Sequence, residues 1–215
     1  MSKYKACVFD FDLTLADSSK GILMCFKKVL SDFGYPVPDD KTIYDTIGMT
    51  LLDAFDLLTG IAPNPQREEM RAAYVKFADD HMVKNTVFYD DSIAVLQVLQ
   101  HAGIKVGIVS TKLKYRIVDS FKQKAGSFPV DEIIGGGEVT NAKPDPEGLN
   151  KMVELLNIDK TDVLYVGDSY IDAQTAQNAS VDFAGVTTGS TTESEFKKYP
   201  HVCIGKSLSD IFTSI

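Results

Sequence analysis

Cysteine is scarce in this 215-residue chain: Cys7, Cys25 and Cys203 are odd in number and far apart. No Cys-x-x-Cys pair occurs, which excludes a zinc knuckle or a dithiol redox motif; the thiols read as buried or incidental in a reducing compartment. Basic charge is also short. Lys and Arg total 22 against 30 Asp and Glu, a formal net charge of −8, which argues against broad electrostatic capture of nucleic acid or an anionic membrane. Long apolar runs are missing. The N-terminal one reaches only from Ala6 to Phe9, too short for a signal peptide or a membrane helix. A cytoplasmic location is therefore expected, and the sequon Asn178-Ala179-Ser180 reads as chance. There is no Gly-x-Ser-x-Gly elbow, no Gly-x-x-x-x-Gly-Lys loop and no internal repeat, and His81, His101 and His201 are scattered.

What the chain does contain is an alternation of short apolar runs with longer helical patterns, the mark of a parallel sheet covered on both faces. Strands are expected at Lys5 to Phe11, Ile104 to Val109, Glu132 to Ile134, Val163 to Val166 and Phe183 to Val186. Helices are expected at Ser92 to Ala102, Leu113 to Lys124, Pro146 to Leu156 and Ser169 to Asn178, with Gly103 ending the first and Asp145-Pro146 opening the third. One region breaks the alternation. Ile22, Phe26, Val29, Leu30 and Phe33 recur at helical spacing, as do Met70, Ala73, Tyr74, Phe77 and His81. Residues 16–86 are thus expected to form a helical insertion, with 1–15 and 87–215 making one discontinuous α/β core.

Four short segments carry chemistry. Asp10 and Asp12 stand two residues apart where the first strand ends, and period-two alternation sets both on one side, at the end of a sheet where α/β proteins bind ligands. Such a pair also serves as helix cap or solvated turn. Ser110 and Thr111 follow the second strand and suit a phosphate oxygen at a helix N-terminus, although Ser110 is equally an ordinary N-cap. Lys143 is held extended by Pro144 just before a helix, and a lone lysine is often only a surface charge. Asp168 ends another strand, with Asp172 four residues on, one helical turn away. Two clustered carboxylates call for a counterion, and a hard divalent cation such as Mg²⁺ fits oxygen ligands.

In this order, each at a strand end, the segments resemble the haloacid dehalogenase superfamily of phosphohydrolases. Asp10-Phe-Asp12-Leu-Thr14, Ser110, Lys143-Pro-Asp-Pro and Gly167-Asp168-Ser-x-x-Asp172 fill its four motifs. The helical insertion sits where the family's first cap class sits. Ala16-Asp17-Ser18, Ile47-Gly48 and Gly135-Gly136-Gly137-Glu138-Val139 are similar to the phosphoglycolate phosphatase-like branch. Leu13 departs from the pattern where glycine is commonest, as do Asp90-Asp91, in place of Pro-Gly, and Ser180.

The resemblance implies a Rossmann-like parallel core with an all-helical cap, and a Mg²⁺-dependent hydrolase of a small phosphomonoester. Asp10 would be the nucleophile and Asp12 the general acid and base. Ser110, Thr111, Lys143 and Gly48 would contact substrate. Mg²⁺ would be held by Asp10, the backbone carbonyl of Asp12, and Asp168, with Asp172 as ligand or support. The cap would close on hinges near Ala16-Asp17 and Lys84 to Val87, offering Thr46-Ile47-Gly48 to substrate. The expected partner is a small phosphorylated metabolite, with neither nucleic acid nor membrane, as monomer or homodimer. A pyrophosphatase, a β-phosphoglucomutase-like mutase and a non-catalytic binding relative are the alternatives. Dehalogenase and phosphonoacetaldehyde hydrolase branches lack a carboxylate at the Asp12 position.

Overall fold

The computed structural model describes residues 3–214. In chain order the elements are β1 (Ala6–Phe9), β2 (Ala16–Asp17), α1 (Ser19–Asp32), α2 (Asp40–Tyr44), α3 (Leu51–Thr59), α4 (Arg67–His81), β3 (Val87–Phe88), α5 (Ser92–His101), β4 (Lys105–Val109) and α6 (Lys114–Ser120). There follow β5 (Glu132–Ile134), α7 (Glu147–Leu156), β6 (Val163–Gly167), α8 (Tyr170–Ala179), β7 (Asp182–Val186), α9 (Glu193–Phe196), β8 (Cys203–Gly205) and α10 (Leu208–Ser214). Among these residues, six strands form one parallel sheet in the order β5-β4-β1-β6-β7-β8.

Alternation along each strand divides the core in two. On β1, Cys7 and Phe9 join Val106, Ile108, Leu164 and Val166 against α5, α6 and α10. Ala6 and Val8 face the other way, with Tyr165 and Phe183, against α7, α8 and α9. Being buried on both faces is what makes these strands read as unbroken apolar runs. The central position of β1, between β4 and β6, brings three expected motif segments to neighbouring strand ends.

A third cluster belongs to the helices between β2 and β3. Phe26 of α1, Phe55 of α3 and Tyr74 of α4 meet with ring centroids 4.9–6.3 Å apart, and such pairs add about 0.5–1.5 kcal/mol each beyond their buried area. Leu13 reaches into this cluster from the loop after β1. Its φ is +61°, the left-handed region that costs a non-glycine residue roughly 1–2 kcal/mol. Full burial of its side chain, about 1.5–3 kcal/mol for a leucine, offsets that cost. This accounts for a side chain where the related pattern has glycine.

Two sequence expectations need correction, and one element went unread. The chain pairs β2 with β3 as an antiparallel ribbon, Ala16 opposite Phe88; two-residue strands leave no periodicity to read. The edge strand β8 also escaped, being three half-buried residues. The helix expected to run from Leu113 to Lys124 is α6 followed by one π-helical turn, Phe121–Ala125, which Gly126 ends at φ +69°.

Candidate active site

The C-terminal ends of β1, β4 and β6 and the loop before α7 converge on a buried polar cluster. Asp10 lies just past β1, and its Oδ1 accepts the backbone N–H of Phe11 at 2.7 Å. Its Oδ2 is 3.0 Å from Lys143 Nζ. The same ammonium donates to Asp172 Oδ1 at 2.6 Å and lies 3.3 Å from the Tyr165 hydroxyl. Asp172 is fixed by the start of α8 itself: Ser169 and Asp172 form a reciprocal capping box, so helix initiation and site geometry are one arrangement. Its Oδ2 takes the Ser169 hydroxyl at 2.5 Å and its Oδ1 takes the Tyr165 hydroxyl at 2.9 Å. Asp168 accepts the Thr14 hydroxyl at 2.8 Å.

Asp10, Asp168 and Asp172 each bring a carboxylate oxygen within 4.8 Å of the others, all buried. Three carboxylates around one ammonium are short of positive charge. Burial raises the Asp10 carboxyl to about 6; Lys143 opposes this, while Asp172 and Asp12 add to it, and the nearby Ser110 hydroxyl holds it down. Burial, Asp172 and Asp10 push Asp168 well above the usual carboxylate range. For Lys143 burial acts against the charge, yet Asp10 and Asp172 prevail and raise it well above an ordinary lysine. A hard dication suits this donor set; Asp168 is the least engaged, with one oxygen on the Thr14 hydroxyl, whereas both oxygens of Asp10 and of Asp172 already have partners.

Asp12 is separate from these three. β1 ends at Phe9, and a turn closed by Leu13 N–H to the Ala16 carbonyl follows, so strand alternation no longer dictates where Asp12 points. Its Oδ1 accepts from Lys112 Nζ at 2.7 Å and from the Ser18 hydroxyl. Ser110 and Thr111 sit in the loop before α6, whose N-cap is Leu113 and not Ser110. Gly48, at φ +99°, comes from the helical lobe, and a Cβ there would stand 3.6 Å from Ser169 Oγ. Thr46, Ile47 and Gly48 therefore line the same cleft as Asp12 and Lys112.

Sequence reasoning missed Lys112 and Arg116, both buried, and the close contacts that seat them. A cation beside a strand end reads as surface unless its partner is known. The signal for Lys112 was its place directly after Ser110-Thr111. The Gly135-Gly136 pair packs its backbone against this loop: Gly136 N–H donates to the Lys112 carbonyl at 2.9 Å. A Cβ on Gly136 would collide with the Thr111 carbonyl oxygen. Gly189 was missed too; a Cβ there would collide with the Asp168 carboxylate.

Residues 7–186 match the family model of haloacid dehalogenase-like hydrolases. A pyrophosphatase PpaX from Listeria welshimeri is 32% identical over 189 residues, covering 86% of this chain and 83% of its own. A phosphoglycolate phosphatase from Vibrio cholerae is 28% identical over 196 residues, covering 88% and 87%. A crystal structure from Bacteroides fragilis, assigned to the haloacid dehalogenase-like hydrolases, superposes with a TM-score of 0.94 at 45% identity, covering 97% and 99%. Among the described residues no helix is long and apolar enough to cross a membrane.

Proposed function

The chain belongs to the haloacid dehalogenase-like hydrolase family, and from that premise we propose that it is a Mg²⁺-dependent phosphatase of a small, phosphoglycolate-like phosphomonoester. The observation that carries this reading is the Asp10 carboxylate, buried and oriented by Phe11 N–H and Lys143, beside two further buried carboxylates short of positive charge.

In this reading an Asp10 oxygen attacks phosphorus while the bond to the leaving oxygen breaks, forming an aspartyl-phosphate. Asp12 gives its proton to the leaving oxygen, then takes one from the water that attacks the intermediate. That second step releases inorganic phosphate and restores Asp10. Lys143 and Ser110 hold the phosphoryl oxygens, and the Thr111 hydroxyl lies within the same loop. Most of the acceleration comes from such positioning and charge stabilisation, since proton transfer supplies only about 10²–10⁴. Asp10, Asp168 and the Asp12 carbonyl would hold Mg²⁺, with Asp172 as support; when bound, the ion offsets the carboxylates and the phosphoryl charge. Residues 16–86 act as a cap that excludes water, with Thr46-Ile47-Gly48 facing the leaving group.

A pyrophosphatase is the second reading, favoured by the 32% identity to the Listeria protein. One experiment tests both. Phosphate release is measured with Mg²⁺ over phosphomonoesters, sugar phosphates, nucleotides and pyrophosphate, ranked by kcat/KM. Release from small monoesters above all others supports the first reading, preference for pyrophosphate replaces it with the second, and no release from any removes both.

A further inference from the structure

Asp12 borders a cleft of about 540 Å³, its open mouth included, which neither Lys143 nor Asp172 lines and whose walls include Ile22, Phe26, Gly48, Lys112 and Arg116. Hydrolysis of a simple monoester leaves two of its features without a role. Arg116 stands on α6 and is 4% exposed. Its Nη2 donates to the Val75 carbonyl at 2.6 Å and to Asp79 at 2.7 Å, both on α4. Its Nε–H is buried and meets no acceptor among the described residues. Buried donors are ordinarily paired, because an unmet one has given up water for nothing.

The second feature is charge. Lys112 and Arg116 line the cleft with one carboxylate, Asp12. Asp79, the ion-pair partner of Arg116, is half-exposed, so solvent screens its offset. Both cations act toward the lobe: burial raises the Cys25 thiol of α1 to about 11, while Arg116 and then Lys112 hold it back.

We propose that this cleft is a second anion subsite, in which Arg116 Nε–H, with Lys112 beside it, receives a negative group on the leaving portion of the substrate. The subsite rests on the phosphatase reading and deepens it. The substrate is a small phosphate ester or anhydride with an anionic group at each end, the remote one a carboxylate or a second phosphoryl. Ile22 and Phe26 keep the surroundings apolar, where a charge-assisted hydrogen bond from a guanidinium is strongest. Arg116 is then a specificity residue that touches the remote end of the substrate and takes no part in phosphoryl transfer.

The test uses the full chain with Mg²⁺ and titration calorimetry of three inert analogues: phosphonoacetate, methylenediphosphonate and propylphosphonate. Wild type is expected to bind at least one dianionic analogue roughly tenfold more tightly than propylphosphonate, and Arg116→Gln to bring that ratio below about threefold. The better of the two identifies the remote group as carboxylate or phosphoryl. Asp79→Asn, which removes the ion pair to α4 but keeps the hydrogen bond to the Val75 carbonyl and the Nε–H, should retain the ratio. Equal binding of all three by wild type overturns the proposal, as does a ratio that survives in Arg116→Gln. A ratio lost equally in Asp79→Asn also overturns it, since Arg116 would then be only a tie between α6 and α4. If the glutamine variant does not fold, Arg116→Lys replaces it, and an unchanged ratio there overturns the proposal. Phosphate release is followed in parallel: release without a ratio removes the subsite alone, and a ratio without release removes the phosphatase reading alone.

Discussion

Lys112 holds its ammonium 2.7 Å from Asp12 Oδ1, both side chains largely out of solvent and 100 residues apart in sequence. The pair ties the loop after β4 to the loop after β1. It also holds the Asp12 carboxylate, the proton carrier of the proposed mechanism, in a fixed place on the wall of the cleft that Lys112 and Arg116 line.

Removing one member of a buried pair leaves the other charge unmet, at roughly 3–5 kcal/mol. Lys112→Met is therefore expected to lower unfolding stability by about 3 kcal/mol in urea. The double variant Lys112→Met/Asp12→Asn should recover at least half of the loss. A single variant as stable as wild type would show that the pair carries no weight.

Asp10→Asn should bring phosphate release below detection while the fold survives. Because Asp10 is one of three crowded carboxylates, the metal-free variant is expected to melt at or above the wild-type temperature. Substantial residual turnover would remove Asp10 as nucleophile.

Asp12→Asn separates leaving groups. An aryl phosphate departs without much help, whereas an alkyl phosphate needs the proton, a difference of up to about 10²–10⁴. The variant should lose far more activity on the alkyl ester. Equal losses on both count against the general-acid role.

The pH dependence of the metal-free protein follows from Asp10. Its carboxyl rises from an ordinary 3.8 to about 6 in the folded state, with burial the first cause. A group raised on folding contributes stability below its unfolded value and loses it as pH rises through the folded one. Metal-free wild type should therefore lose stability from pH 4 to above pH 6 relative to Asp10→Asn, as followed by thermal melts. Added Mg²⁺ should stabilise wild type more at pH 7.5 than at pH 5, and a chelator should reverse both this gain and activity. A Mg²⁺ effect independent of pH would contradict the assignment.

Gly136→Ala puts a methyl group against the Thr111 carbonyl oxygen. Backbone on both sides leaves little room to yield, so a loss of about 1–3 kcal/mol is expected, with activity falling as the Ser110–Lys112 loop shifts. Unchanged melting and kinetics would show that the two loops move apart freely.

The parallel core was legible because β1, β4 and β6 are buried on both faces and end in short polar signatures. Asp10, Asp168, Asp172 and Lys143 were legible for related reasons: a strand run places the first and second, the first turn of α8 places the third, and a proline follows the fourth. Lys112, Arg116 and Gly189 were not. Their roles depend on partners elsewhere in the sequence, such as Asp12 for Lys112 and Asp168 for Gly189; only Lys112 left a local signal, its place directly after Ser110-Thr111. Strand β8 and the β2–β3 ribbon were lost to brevity, since two or three residues are too few to show a period.

The ribbon bears on how the chain folds. β1 must find β4 across a long stretch, Ala6 pairing with Lys105, and closing so large a loop is entropically costly and slow. The helical lobe is contiguous in sequence and has its own buried cluster. Its ends meet where Ala16 pairs with Phe88. Once the lobe is formed, the chain leaves and re-enters the core at one point. The distance that β4 must search for β1 then contracts to little more than helix α5 and its turns.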